Sequence, residues 1–261
     1  MATPDPLSAL TQQVRALERS LQTHTGTLRT LIERSERTTY SQLEALINLY
    51  RELDGHFALP PLRNWAISPD AARQILALVR ARRPQHVVEC GAGASTILLG
   101  HLALTGQVGR VTSFEHDPLW HEVSRQRIRD AGLDEHVDLV FAPLIEHDLA
   151  RGTGLWYDID SVQLSDIDMV IVDGPPADTG PEARRLAPDL LLPHCLPGCG
   201  FVVDDYIRPA EQAMVRDWIE QFPMQLVHRS ESVEKWLAVV DYLPEATDLS
   251  PDATGLSEVP A

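Results

Sequence analysis

Val87-Val88-Glu89-Cys90-Gly91-Ala92-Gly93-Ala94-Ser95-Thr96 decides how this chain reads. A short apolar run ends in an acid, a glycine-rich turn follows, and Ile97-Leu98-Leu99 opens an apolar helix. That order is the first βα unit of a nucleotide-binding α/β fold. Gly91 and Gly93 allow a tight turn whose N–H groups come close to a ligand, and the next helix points its positive end at the same place. A ligand carrying a nucleoside is expected there.

Towards the C-terminus, strand and helix patterns alternate, which implies a parallel sheet covered on both faces. Strand patterns fall at residues 110–114, 137–141, 169–172 and 200–203, with helices expected at about 119–131, 181–192 and 210–221. A glycine-rich, aromatic excursion occupies 152–160. Two β-type runs, 225–228 and 236–242, lie close enough to pair as a hairpin. The expected fold is therefore α/β: a Rossmann-like seven-stranded sheet of five parallel βα units plus a C-terminal β-hairpin, with an N-terminal helical extension.

Towards the N-terminus, Ser68-Pro69-Asp70 starts a helix with an N-cap, a first-turn proline and an acid beside the positive helix end. Further upstream, Leu7, Leu10, Val14, Leu17, Leu21, His24, Leu28 and Leu31 alternate spacings of three and four, the seam of a coiled coil over about four heptads. The seam fades at Ser35 and Thr38, and Tyr40, Leu43, Ile47 and Tyr50 continue in another phase. The seam predicts a homo-oligomer joined through this helix; a helix lying on the protein's own surface is the alternative. The expected organisation is a helical extension at 1–52, the main domain at 53–243 and an acidic, disordered tail at 244–261.

The 261 residues are 44% hydrophobic, enough for one substantial core. A net charge of −16 argues against nucleic-acid partners, whose phosphates need clustered Lys and Arg. Neither a secretory signal nor a membrane span is evident, and the three cysteines suit a reducing compartment, so a cytoplasmic protein is expected.

In an open α/β sheet, ligands bind beyond the carboxyl ends of the strands. Four successive strand ends carry acids here: Glu89, Glu115, Asp173 and the pair Asp204-Asp205. Carboxylates at buried strand ends need a reason, and a ligand-lined edge supplies one. Glu115 stands where an acid can grip both hydroxyls of a ribose.

Glu-Cys-Gly-Ala-Gly-Ala-Ser-Thr (89–96), Phe-Glu-His-Asp-Pro (114–118), Val-Asp-Gly-Pro-Pro (172–176) and Val-Val-Asp-Asp (202–205) together resemble class I S-adenosylmethionine-dependent methyltransferases. The likeness is greatest to a broad bacterial small-molecule O-methyltransferase-like subgroup with a segment similar to Leu-Pro-Pro-Leu-Arg-Asn-Trp-Ala-Ile-Ser-Pro-Asp (59–70) before the first motif. The resemblance implies that Glu89, Gly91, Gly93 and Ser95 hold the methionine end of the cofactor and Glu115 its ribose. His116 and Ala142-Pro143-Leu144 would line the adenine, with Trp65 and Ser68 as a roof and Asp173 also at the cofactor. A nicotinamide cofactor fits less well, since Thr96 stands where a third glycine belongs.

Asp173, Asp204 and Asp205 fall on neighbouring strand ends, and such a cluster stays ionised only with a cation among it; all-oxygen ligands suit Mg²⁺, Mn²⁺ or Ca²⁺. The site is similar to the metal centre of catechol-type O-methyltransferases, where the ion lowers the pKa of a substrate hydroxyl. That family carries a lysine base after the strand-four Asp, whereas this chain has Gly174-Pro175-Pro176-Ala177. Lys235, the only lysine, would reach the same edge if the last strand is antiparallel, as a base or a partner for Asp205. Asp173, Asp205 and Lys235 are the candidate catalytic residues; His147, Tyr157 and Tyr206 are candidates for a substrate wall or core. The activity implied is methyl transfer to a hydroxyl of a small molecule, a sugar or secondary metabolite. A non-catalytic methyltransferase-like assembly module and an NAD-dependent oxidoreductase are the alternatives.

Overall fold

A computed structural model describes residues 6–53, 57–150, 152–180 and 182–244. All but Pro244 of the tail expected at 244–261 lies outside the described residues. The chain divides into two compact units between Asn48 and Leu49, inside the long helix α1 (Pro6–Glu52).

The second unit is built on a seven-stranded sheet in the order β3-β2-β1-β6-β7-β9-β8. Its strands are β1 (His86–Cys90), β2 (Arg110–Glu115), β3 (Val137–Phe141), β6 (Ile167–Val172), β7 (Cys195–Asp204), β8 (Met224–Ser230) and β9 (Leu237–Tyr242). The first five run parallel, and β9 lies antiparallel between β7 and β8. The expected sheet and terminal hairpin are both present. The chain leaves β1 towards β2 and β3, then crosses back to place β6 on the other side of β1. That reversal opens a crevice beyond the ends of β1 and β6.

Side-chain alternation assigns each strand to two cores. Val87, Val111, Met169, Ile171, Val202 and Val239 join α2 (Pro69–Arg82) and α3 (Ala94–Leu104) on one face. Val88, Cys90, Phe114, Val170, Val172, Phe201 and Val203 face the other, with Trp156, Tyr157 and Trp218. α2 begins as its sequence predicts, with Ser68 at the N-cap and Pro69 in the first turn, but the Ser68 hydroxyl donates to Asp70, which accepts the Ala71 N–H at 2.9 Å in place of a cap by Ser68. Arg82 clamps α2 to the sheet through Asp241, at 2.8 and 3.1 Å.

One segment gains structure and one expectation needs correction. The excursion after β3 is an ordered antiparallel hairpin, β4 (Leu144–Leu149) with β5 (Gly152–Tyr157), because Trp156 and Tyr157 turn inward and are buried. The helix expected at 181–192 shrinks to α5 (Ala187–Leu191). Glu182 takes a left-handed φ of 59°, and Arg184 spends its side chain on carbonyls outside any helix. The remaining helices, α4 (Pro118–Asp130) and α6 (Pro209–Gln221), lie close to their predicted positions.

Candidate functional site

Gly91 adopts φ 97°, and a Cβ there would stand 3.2 Å from the Gly174 nitrogen, so glycine is required on both counts. Gly174 is tighter still: its Cβ would run into the Tyr157 hydroxyl and stand 3.1 Å from the Cys90 carbonyl. The turns after β1 and β6 thus pass backbone against backbone at the mouth of the crevice. Gly93 is different, since its φ is an extended −170° and nothing lies within 4 Å of a Cβ. Its missing side chain leaves open space at the start of α3.

Glu89 is fully buried on the α3 side of the sheet. Its Oε2 accepts from the Thr96 and Ser113 hydroxyls, both at 2.5 Å, and Thr96 Oγ1 accepts from the Gly93 N–H at 2.8 Å. Its Oε1 has no partner. Burial pushes the carboxyl above its usual pKa, while the hydroxyls of Ser113, Ser95 and Thr96 pull it back. Ser95 itself is buried in the first turn of α3. Glu115, at the end of β2, accepts from the Asp117 N–H at 2.8 Å. His116 Nδ1 lies 3.1 Å from Glu115 Oε1, within ion-pair range but not aligned as a hydrogen bond, and this contact raises the imidazole pKa.

The β6–β7 side holds the remaining acids. Asp173, Asp204 and Asp205 offer oxygens that all lie within 4.8 Å of one another. Arg184, itself buried, enters this group. Its Nη2 donates to the Asp173 carbonyl (2.7 Å), to Asp173 Oδ1 (3.2 Å) and to Asp205 Oδ2 (3.1 Å), and its Nη1 to the Asp204 carbonyl (3.1 Å). Arg208 adds a second cation 3.0 Å from Asp205 Oδ2. Lys235 Nζ stands 3.8 Å from Asp205 Oδ1 and 4.0 Å from Asp204 Oδ2, and donates to the Ala66 carbonyl at 3.2 Å. It arrives because β9 is antiparallel to β7, with Leu237 opposite Asp204. Both oxygens of Asp204 are buried without a hydrogen-bond partner. Burial and the charge of Asp205 raise its pKa; burial and Asp204 hold Asp173 well above the carboxylate range.

The loop before α2 is tied to the same edge. Arg63 forms a two-pronged bridge to Glu234 at 2.7 and 3.1 Å, and the Glu234 N–H donates to Asp70 at 2.8 Å. Between these ties the Trp65 side chain is 84% exposed, while Ser68 is buried. The expected roof therefore divides into a solvent-facing indole and a hydroxyl already committed to Asp70. Tyr157, a candidate for a substrate wall or core, is a core residue together with Trp156; the Tyr157 hydroxyl is buried without a partner above Gly174. Tyr206 is core as well, and His147 Nε2 bonds the Tyr157 carbonyl at 3.1 Å. A surface groove of about 630 Å³ lined by Gly152, Glu182, Arg185, Asp217 and Gln221 touches none of the strand-end acids.

Sequence reasoning missed Arg184. The signal available was charge balance: it is the first basic residue after Asp173, in a stretch where clustered acids need a cation.

Residues 88–206 match the family model of a methyltransferase domain. Among solved structures, the SAH-bound Podospora anserina methyltransferase PaMTH1 is similar at 13% identity, covering 80% of this chain and 95% of that one, with a TM-score of 0.57. Cofactor-bound Rv0187 from MTB follows at 20% identity, 78% and 91% coverage and a TM-score of 0.54. The O-methyltransferase from Bacillus cereus in complex with SAH gives 16%, 76% and 90%, and 0.51. No curated protein sequence matches the chain. Residues 88–206 are thus similar to a methyltransferase domain, and the seven-stranded sheet around them is the fold shared with these solved structures.

Proposed function

We propose that this methyltransferase domain uses S-adenosylmethionine and transfers its methyl group to a hydroxyl of a small molecule. The observation that carries the cofactor is the orphaned, buried Oε1 of Glu89 beside the close-packed turns of Gly91 and Gly174. An acceptor with no donor, facing a turn that only glycine can make, fits the ammonium end of an amino-acid-bearing nucleoside. The similar structures solved with SAH or a cofactor support the same choice.

The chain's own residues divide the work. Glu89 binds the amino-acid end, Gly91 and Gly93 bring backbone and open space to it, and Glu115 takes the ribose hydroxyls with His116 alongside. Asp173 stands where the two halves of the crevice meet. When bound, the cofactor supplies an electrophilic methyl on sulfur. In-line displacement gains most from alignment, which can contribute on the order of 7–11 kcal/mol. Cofactor titration by calorimetry tests the proposal. Binding by the wild type that falls at least about tenfold in Glu115→Ala supports it, on the ~1.5–3 kcal/mol scale of a hydrogen bond to a charged group. No binding, or undiminished binding in the variant, overturns it. Transfer of labelled methyl to a product in cell extract separates an enzyme from a non-catalytic module.

A second reading adds Mg²⁺, Mn²⁺ or Ca²⁺ at Asp173, Asp204 and Asp205. The unpartnered oxygens of Asp204 favour it; the guanidinium of Arg184, already bonded to the other two carboxylates, opposes it.

Self-association through residues 7–31 belongs to the proposal too. Leu7, Leu10, Val14, Leu17, Leu21, Leu28 and Leu31 expose 46–71% of their surface along one stripe of α1. Burying one such side chain is worth ~1.5–3 kcal/mol, or roughly 60–120 Å² at 25 cal/mol/Å². Seven from each of two chains would reach roughly 800–1,700 Å², against the ~1,200–2,000 Å² of stable interfaces. A dimer by light scattering that dissociates in Leu17→Asp/Leu21→Asp is expected; a full-length monomer refutes it. Free Cys90, Cys195 and Cys199 support a reducing, cytoplasmic location. Among the described residues no helix is long and apolar enough to cross a membrane.

A further inference from the structure

We propose that Arg184 and Lys235 take the place of a divalent metal at the acid edge, so that the site works with built-in cations and leaves Asp204 to accept a hydrogen bond from the substrate. The inference rests on the methyltransferase reading and refines what stands opposite its cofactor half.

Charge supplies the first reason. Asp173, Asp204, Asp205 and Glu211 carry four formal negative charges, and Arg184, Arg208 and Lys235 carry three positive ones, each within 4.0 Å of at least one of these acids. At full ionisation one negative charge is left, 4 − 3, and the raised pKa values of Asp173 and Asp204 reduce it further, so the built-in cations already balance the acids. A divalent ion would leave the group with a net positive charge and would sit within a few ångströms of a guanidinium that is held in place.

Geometry supplies the second. Arg184 is bound through two backbone carbonyls as well as two carboxylates, so it is fixed by the ends of β6 and β7 and cannot swing aside. Its fork uses one oxygen of Asp173 and one of Asp205, the residues a metal would need. Lys235 covers the second oxygen of Asp205 and one oxygen of Asp204 at longer range, and its bond to the Ala66 carbonyl anchors the loop bearing Trp65. Asp204 alone keeps two buried oxygens without a donor. A buried acceptor beside paired neighbours suits a hydroxyl or amine of the substrate, which brings its own hydrogen.

The test uses the full-length protein saturated with S-adenosylmethionine and Mn²⁺ as the probe, with free Mn²⁺ followed by electron paramagnetic resonance. The wild type is expected to bind no Mn²⁺ below millimolar concentrations. Arg184→Met, which removes the charge and keeps much of the bulk, is expected to gain at least about tenfold in Mn²⁺ affinity, as loss of a repelling unit charge at this range dictates. Lys235→Met, at a residue more exposed and held by one carbonyl where Arg184 is held by two, should gain less and serves where Arg184→Met does not fold. One Mn²⁺ per wild-type chain at micromolar concentration, lost in Asp204→Asn, overturns the inference. So does the absence of any gain in the variants that fold. Calorimetry with the cofactor on the same wild-type sample keeps the two ideas apart: failure to bind it sinks the methyltransferase reading, whereas cofactor binding together with tight Mn²⁺ sinks only this one.

Discussion

Two halves of one crevice bury carboxylates by opposite means. At the ends of β1 and β2, Glu89 is held by neutral donors, the hydroxyls of Thr96 and Ser113, with one oxygen left over. At the ends of β6 and β7, Asp173 and Asp205 are held by the charges of Arg184, Arg208 and Lys235. Neutral donors leave a carboxylate with charge to offer an incoming cation. Charged donors nearly cancel the acids and turn them into a scaffold. On the proposed function the first half binds, and the second holds a shape around the single acid, Asp204, that lacks a donor.

The sharpest way to break that contrast is to remove one charge from the scaffold. Asp205→Asn takes a partner from Arg184 and Arg208 together, and breaking a buried pair costs ~3–5 kcal/mol. A loss near 3 kcal/mol in urea unfolding is expected; a change under ~1 kcal/mol would mean the cations do not carry the scaffold.

Where the two halves touch, Gly174→Ala should cost somewhat less, within or just above the ~1–3 kcal/mol of overpacked sites, and should weaken cofactor binding as well. The added Cβ meets the Tyr157 hydroxyl and the Cys90 carbonyl. Adding Tyr157→Phe relieves the hydroxyl clash alone, so the double variant should recover part of the loss, read by thermal unfolding.

Glu89→Gln tests the neutral half. The fold should change by less than ~1 kcal/mol, since its partners are hydroxyls that can rotate, while cofactor affinity falls. The pH dependence follows from the raised carboxyl. An acid whose folded pKa exceeds its unfolded value gives stability that is present below the unfolded pKa and lost as pH rises through the folded one. The variant should therefore gain on the wild type as pH increases, and a constant difference from pH 4 to 8 would show that the carboxyl is not strained by burial.

The smallest effect belongs to His116. Its pKa is raised by Glu115, so its contribution is fully present below about pH 6.5, the ordinary value for histidine, and fades as pH rises through the higher folded value. Because the ring is only partly buried, His116→Asn should lose a few tenths of a kcal/mol at pH 5.5 and nothing at pH 8.5. Chemical unfolding at the two pH values separates these outcomes.

Much of the β1–β2 half was legible because its parts are adjacent in the chain. Glu89, Gly91, Gly93 and Thr96 span eight residues, and Glu115 follows one helix later. The acid edge was legible only as a list of acids. Arg184 lies 11 residues from Asp173 and 21 from Asp205 across a stretch that reads as helix, and only Lys235 announced itself, through the antiparallel logic of the last strand. Tyr157 stayed open between substrate wall and core for a related reason: only the hairpin that turns it and Trp156 inward decides for the core.

The sequence by itself determined the sheet, its terminal hairpin, the glycine turn and the identity of the strand-end acids, because periodicity and glycine placement act over a few residues. Only the tertiary structure decided how each acid is neutralised. Pairing energy depends on distances between side chains that the fold alone brings together: a guanidinium drawn from a turn, an ammonium from the link between β8 and β9 and a carbonyl from the loop before α2 meet at Asp204 and Asp205 although they are far apart in the chain.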